Sequence, residues 1–221
     1  MSDTPFISYL VTCKNEGYQL QFLLELLYKY KEGAECIILT DDVTDVDTLS
    51  VIDNCKRNPF FKIENHALNR DYGAHKNVGK SFCSGKYIFQ LDADESPSLT
   101  LMENLKDILE SNPTVELFWL PRINDFKGVT EEHAKKWGWR LDPYEDRQIV
   151  NFPDPQTRIF KNLPHIKWEK KLHERITGAK FVSHLPNEFE FSLIHNKTME
   201  KQEATNLWYG KNFTASENGG T

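Results

Sequence analysis

A chain of 221 residues, 39% hydrophobic and 12% aromatic, can bury the core of one α/β domain, which excludes disorder as its default state. It contains no run of eighteen apolar residues, which excludes a transmembrane helix. The formal charge of −6 conceals a basic middle: residues 1–121 carry 11 Lys+Arg against 19 Asp+Glu, whereas residues 122–180 carry 13 against 9.

Pro5 to Cys13 (PFISYLVTC) reads as a first strand, bounded by the polar Lys14-Asn15-Glu16-Gly17. It lacks the basic start and small-residue cleavage site of a secretory leader, so a cytoplasmic protein is expected. Cys13, Cys36, Cys55 and Cys83 show no C-x-x-C spacing and read as reduced core thiols. From Tyr18 to Tyr30 the leucines at 20, 23, 24 and 27 fall on one helical face, and Gly33 marks a stop. Cys36–Thr40 is a second buried strand ending in Asp41 and Asp42, and Val46–Cys55 fits a helix. Phe60–Glu64 is a third strand, followed by a helix over Ala74–Phe82 and a stop at Gly85.

The central feature is KYIFQLDADE, from Lys86 to Glu95. It begins as an apolar strand and breaks into Asp92, Asp94 and Glu95. Two carboxylates two residues apart share one face of a regular strand, where hard oxygen donors suit a divalent cation carrying phosphate oxygens. Leu99 to Leu109 makes an amphipathic helix, and Val115–Leu120 another strand. Alternating helices and continuously apolar strands imply a mostly parallel sheet with both faces covered. The polar strand ends at residues 12–16, 40–42 and 92–95 then lie on one edge and build one site. Neither G-x-G-x-x-G nor G-x-x-x-x-G-K-[ST] occurs, which argues against a dehydrogenase and an ATPase.

Residues 123–156 mix charge, aromatics and prolines without periodicity, and such a long irregular segment is expected to be functional. Short strand-like runs follow at Thr157–Phe160, His165–Trp168, Leu172–Ile176 and Lys180–Ser183, suggesting a small mixed or antiparallel C-terminal addition. Glu188–His195 (EFEFSLIH) reads as a half-buried strand ending in a histidine, Lys201–Lys211 as a closing helix, and SENGGT as a frayed end.

Together these residues resemble a family 2 glycosyltransferase of the GT-A fold. The resemblance is carried by Thr12-Cys13-Lys14-Asn15-Glu16, by Asp41-Asp42-Val43-Thr44-Asp45, by Gly73 with Lys76-Asn77, and by Ser84-Gly85-Lys86-Tyr87-Ile88 running into Asp92-Ala93-Asp94. Arg158-Ile159-Phe160-Lys161-Asn162, Trp168, His173-Glu174 and His195 match a subset of that family in order. The resemblance implies a Rossmann-like sheet flanked by helices, with a nucleotide-sugar-binding half over residues 1–122. Residues 123–221 would be the acceptor-binding and closing half of the same single domain.

It also implies sugar transfer from a nucleoside diphosphate donor with inversion at the anomeric carbon. Thr12, Asn15, Glu16, Asp42, Lys76, Asp92 and Ala93 would bind the donor. Asp42 would accept from a uracil N–H, making a UDP-sugar the expected donor, and Lys76 would neutralise the diphosphate. Asp94, Asp92 and His195 would hold the metal; an imidazole beside carboxylates favours Mn2+, with Mg2+ as the alternative. Glu174 is the candidate catalytic base, ahead of Asp142, Glu145, Asp146 and Asp154.

The expected acceptor is a saccharide, a glycolipid or another hydroxyl. The basic middle with Trp137, Trp139, Tyr144 and Trp168 would also suit an anionic glycan, or a modified nucleic-acid base as in viral members of such families. Net acidity argues against tight duplex binding. Two readings compete: an inactive nucleotide-sugar-binding module, and a sugar-1-phosphate nucleotidyltransferase. The latter would carry a Gly-rich basic loop where this chain has Lys14-Asn15-Glu16-Gly17.

Overall fold

The computed structural model describes residues 4–217, so the closing SENGGT lies mostly outside the described residues. The first half alternates as its apolar periodicity requires: β1 (Ile7–Cys13), α1 (Gly17–Lys29), β2 (Ala34–Thr40), α2 (Val46–Cys55), β3 (Phe61–Asn65), α3 (Tyr72–Ser81) and β4 (Tyr87–Asp92). Short polar residues start the helices. The Asp45 carboxylate accepts from the Thr48 N–H at α2, and the Asp71 carboxylate from the Ala74 N–H at α3. After the acidic turn come β5 (Glu95–Pro97), α4 (Leu99–Ser111) capped by Ser98, and β6 (Leu117–Leu120).

Residues 123–156 are not irregular. They form most of β7 (Arg122–Lys127), then α5 (Glu131–Trp137), β8 (Leu141–Tyr144) and β9 (Arg147–Val150). The pattern was hidden because these elements are short and half exposed, so their sequence alternates weakly. Trp137, Trp139, Phe126, Val150, Leu141 and Met199 share a small apolar cluster of their own. The chain continues through β10 (Gln156–Lys161), β11 (Lys167–Glu169), β12 (Arg175–Thr177) and β13 (Val182–His184), and closes with β14 (Leu193–Thr198) and α6 (Met199–Asn212).

Seven strands form the main sheet in the order β13-β6-β10-β4-β1-β2-β3. From β4 to β3 every pairing is parallel, and β10 runs antiparallel to both of its neighbours. Thus two runs expected in a separate C-terminal addition, at 157–160 and 180–183, instead join the main sheet as β10 and β13. Hydrophobic Ile159 and Phe160, both buried, make β10 an interior strand. The addition proper is a five-stranded sheet, β5-β14-β7-β9-β8, with a β11-β12 ribbon beside it. EFEFSLIH is not one strand: Phe189–Phe191 make a single 3-10 turn, and β14 begins at Leu193, which places His195 inside the strand. Likewise the strand expected at Leu172–Ile176 begins only at Arg175, leaving Glu174 between that strand and the bend at 171–173.

All four cysteines are buried free thiols. The start of the central strand is held by a buried acid, Glu35. Its Oε1 accepts from the Ser8 hydroxyl at 2.7 Å and from both the amide and the hydroxyl of Ser84, while Lys62 pairs with Oε2. Burial pushes this carboxyl up, but the bonds from Lys62, Ser8 and Ser84 outweigh it and hold it at about 2 instead of 4.5. That depression stabilises the fold by roughly 2–3 kcal/mol above about pH 4.5, and the contribution disappears as pH falls towards 2. Urea unfolding of Glu35→Gln should therefore show a deficit of that size at pH 7 that shrinks steadily below pH 4.5. A deficit independent of pH would refute the assignment.

Candidate functional site

The carboxyl ends of β1, β2 and β4 meet on one edge of the main sheet, as their parallel pairing demands. Asp92 ends β4 and Asp94 lies in the following turn, so the two acids do not share one strand face. Their surroundings diverge accordingly. Asp92 Oδ1 accepts from the Thr12 hydroxyl at 2.7 Å and from Gln90 Nε2 at 2.9 Å, while Oδ2 accepts from Arg158 Nη2 at 2.9 Å. Asp94 Oδ2 faces His195 Nε2 at 3.5 Å. Ala93 donates its N–H to the Thr12 carbonyl and stitches the acidic turn to β1.

Asp92 belongs to a chain of charges. Lys76 Nζ lies 3.3 Å from Asp92 and 2.6 Å from Glu174 Oε1, and its side chain is only 4% exposed. On the other side Arg158 spans Gln90, Asp92 and Glu95, and Arg122 links Glu95 at 3.0 Å to Asp154 at 2.7 Å. Asn124 Nδ2 donates to Asp154 at 2.7 Å, and Asn124 Oδ1 meets His195 Nδ1 at 3.0 Å. Burial alone would push the Asp92 carboxyl up, but the charges of Lys76 and Arg158 hold it well below the usual carboxylate range. Sequence reading named Asp92, Glu95, Lys76, Glu174 and His195 but passed over Arg122, Asn124 and Gln90. Polar residues inside apolar strands were the available signal.

Helix α3 presents Lys76 because its first turn lies directly on the chain that carries Glu174. A Cβ on Gly73 would sit 2.5 Å from the Lys170 carbonyl, and the Tyr72 N–H donates to the Lys171 carbonyl at 2.8 Å. One turn on, the Asn77 amide bridges both backbone groups of Trp168. Gly73, Lys76 and Asn77 therefore all address residues 168–174. Trp168 itself is 4% exposed beneath Phe160, so it is core, not acceptor surface.

At the end of β2 the two aspartates differ. Asp41 is buried, its carboxylate accepting from the Leu68 N–H and from Lys14, each at 2.9 Å. Asp42 is exposed, at a backbone φ of 41°. Asn15 Oδ1 accepts from the Thr44 and Asp45 amides, joining the loops after β1 and β2. Glu16 accepts from the Lys14 N–H at 2.7 Å and pairs with Lys201 of α6. Asn15 and Glu16 line a cleft of about 680 Å³ whose far wall comes from β7, β14 and α6. Of the alternative bases, Asp142 accepts from Arg140 and from the Phe152 N–H, Asp154 is tied to Arg122 and Asn124, and Glu145 and Asp146 flank Arg147.

Among the described residues no three His, Cys, Asp or Glu side chains converge as a metal-ligand set. The pair Asp94–His195 nonetheless has the chemistry of half such a set. Asn124 Nδ2 donates to Asp154 and to the Val150 carbonyl, so its Oδ1 must face His195 as an acceptor. His195 Nδ1 is then the donor, and Nε2 turns towards a carboxylate. A neutral imidazole would place a lone pair against that carboxylate, an arrangement that a cation between them satisfies. Asp92 has its two oxygens engaged by Thr12, Gln90 and Arg158 while its side chain stays 33% exposed, so a cation there would have to share it with those partners.

Comparison with known proteins places this edge in context. Residues 8–169 match Glycosyl transferase family 2. An uncharacterized glycosyltransferase of Haemophilus influenzae is 26% identical over 113 residues, which are 51% of this chain and 35% of that protein. The crystal structure of Staphylococcus aureus TarS 1–349 superposes with a TM-score of 0.58 at 15% identity, covering 87% of this chain and 60% of that one. TarS 1–349 in complex with UDP-GlcNAc gives 0.59 at 15% identity, over 86% and 58%. The chain thus spans about a third of the curated relative and about three fifths of TarS 1–349, and its mostly parallel main sheet, flanked by helices and with smaller sheets beside it, has the GT-A-like architecture of those structures. With the family match covering most of its length, this chain belongs to glycosyltransferase family 2.

Proposed function

We propose that this protein transfers a sugar from a nucleoside diphosphate sugar, a UDP-sugar by preference, to a hydroxyl acceptor with inversion. The observation that carries this reading is the Asp94–His195 pair at the end of the central strand, beside an Asp92 held by Thr12 and Arg158. TarS, similar in fold, has been crystallised with UDP-GlcNAc and with UDP, which supports a nucleotide-sugar donor. Family membership weighs against the nucleotidyltransferase reading.

Asp94 and His195 would hold Mn2+, or Mg2+ in its place, with donor phosphate oxygens completing the shell. Bound there, the ion supplies Lewis-acid stabilisation of the leaving diphosphate. The chain's own residues do the rest. Asp42, exposed at the end of β2, would accept from the uracil N–H, and Asp92, fixed by Thr12, Gln90 and Arg158, would meet the ribose. Glu174 would take the acceptor proton as the acceptor oxygen bonds the anomeric carbon and the diphosphate leaves with the electrons of the broken C–O bond. A saccharide or glycolipid hydroxyl is the proposed acceptor.

The test is calorimetry of UDP binding with Mn2+ and with EDTA. Binding should weaken at least about tenfold on chelation, the worth of one good ionic contact, and Asp94→Asn in Mn2+ should fall to the chelated level. Equal UDP affinity with and without metal would overturn the metal assignment, and preferential binding of GDP would overturn the uridine preference.

A further inference from the structure

A departing nucleoside diphosphate needs a positive group at hand, and the basic residues of the strand edge are nearly all engaged. Lys76 is shut in by Asp92 and Glu174, Arg158 by Asp92 and Glu95, Arg122 by Glu95 and Asp154, and Lys14 lies on Asp41. In the 680 Å³ cleft, Arg147 is held by Asp125 and Glu145, and Lys201 pairs with Glu16. Two cleft cations remain without an ion pair among the described residues, Lys127 and Lys197.

Strand geometry separates them. β14 and β7 pair in parallel with Lys197 opposite Phe126 and Thr198 opposite Lys127. Successive side chains alternate, so His195, Lys197 and Phe126 lie on one face and Lys127 on the other. The contact between the Phe126 and His195 rings, 5.4 Å between centroids, confirms that shared face. From His195 onward burial follows the same period: His195 and Lys197 are half-buried, and Asn196 and Thr198 are exposed. Lys197 therefore projects on the side of the strand from which His195 reaches Asp94. Lys197 makes no close ion pair and feels the Asp94 carboxylate only at longer range; a half-buried ammonium so placed is costly, and an anionic ligand removes that cost.

Resting on the donor reading above, we infer that Lys197, a residue of the cleft wall two positions along β14 from His195, is the residue that receives the diphosphate of the donor. It is a catalytic residue in that it touches the leaving group: its ammonium balances charge as the bond to the anomeric carbon breaks. Lys76, which the sequence pattern nominates for this task, instead lies behind the site and fixes Asp92 and Glu174.

The experiment is calorimetric titration of UDP and UMP, in Mn2+, into the wild type and into Lys197→Met, Lys197→Gln and Lys197→Arg. Removing the charge should weaken UDP about 10- to 100-fold, the range of a lost charge-assisted hydrogen bond. UMP should lose less than about threefold and Lys197→Arg should retain most of the affinity. Affinity for Mn2+ alone, read by electron paramagnetic resonance, should not fall, which separates this role from damage to the metal pair. Should Lys197→Met fold poorly, Lys197→Gln carries the same expectation. Wild-type UDP affinity in the uncharged variants overturns the role of Lys197 alone. A wild type that fails to bind UDP overturns the donor reading, and the Lys197 assignment with it.

Discussion

Arg158→Met should destabilise the protein by about 3 kcal/mol or more, making it the most damaging single change at the site. The guanidinium is buried on β10 and touches Gln90, Asp92 and Glu95 at 2.6–2.9 Å. Methionine fills the volume but leaves Glu95 with Arg122, and Asp92 with Lys76, as the one cationic partner of each among the described residues. Lysine should not rescue the loss, since one ammonium cannot span three acceptors. The deficit should depend on pH in a definite sense. Asp92 sits well below its ordinary 3.8 because Lys76 and Arg158 outweigh its burial, so this stabilisation is present above about pH 4 and is lost as pH falls further. Urea unfolding at pH 7 and pH 3 should show the gap between variant and wild type narrowing at the lower pH. Adding Glu95→Gln to Arg158→Met should recover part of the stability by removing the stranded charge. A loss below about 1 kcal/mol at pH 7 would mean the network is energetically idle.

Glu174→Gln should lower turnover by roughly 10²–10⁴-fold while leaving UDP affinity nearly unchanged. Gln keeps the shape and the bond to Lys76 but cannot take a proton. The geometry makes the variant informative. Glu174 Oε1 is fixed by Lys76, and Lys76 keeps Asp92 after the substitution, so the fold should survive. A structural role would instead appear as a lower melting temperature with turnover per folded molecule preserved. That result, or normal turnover in a stable variant, would remove Glu174 as the base.

Much of the first half was legible because its signals are strong and local. Continuously apolar strands and leucine-faced helices agree with one another, and the caps Asp45, Asp71 and Ser98, seen only in the structure, fit the same elements. The sequence misled where partners are distant. Nothing local in TRIFKN says that β10 enters between β4 and β6, because that placement depends on pairing with Phe89 and Phe118 far away in the chain. The same holds for the site. Asp92 and Asp94 read as twins by spacing, yet Arg158 claims one and His195 the other, from residues 66 and about a hundred positions further on. Periodicity cannot report a contact of that range.

The insertion of β10 also says something about how the molecule must come into being. The central strand β4 gains its second neighbour only when residues 156–161 arrive, well after β1, its first, is in place. Until then β4 is an open edge of the growing sheet, offering unpaired amides and carbonyls to any strand nearby. Asp92 and Glu95 at its end wait for the same segment to bring Arg158. Sheet closure and charge neutralisation are thus one late, long-range event, of the kind that slows folding and exposes a nascent chain to misassembly. A chain stopped before residue 156 would lack both, however complete its run of parallel strands.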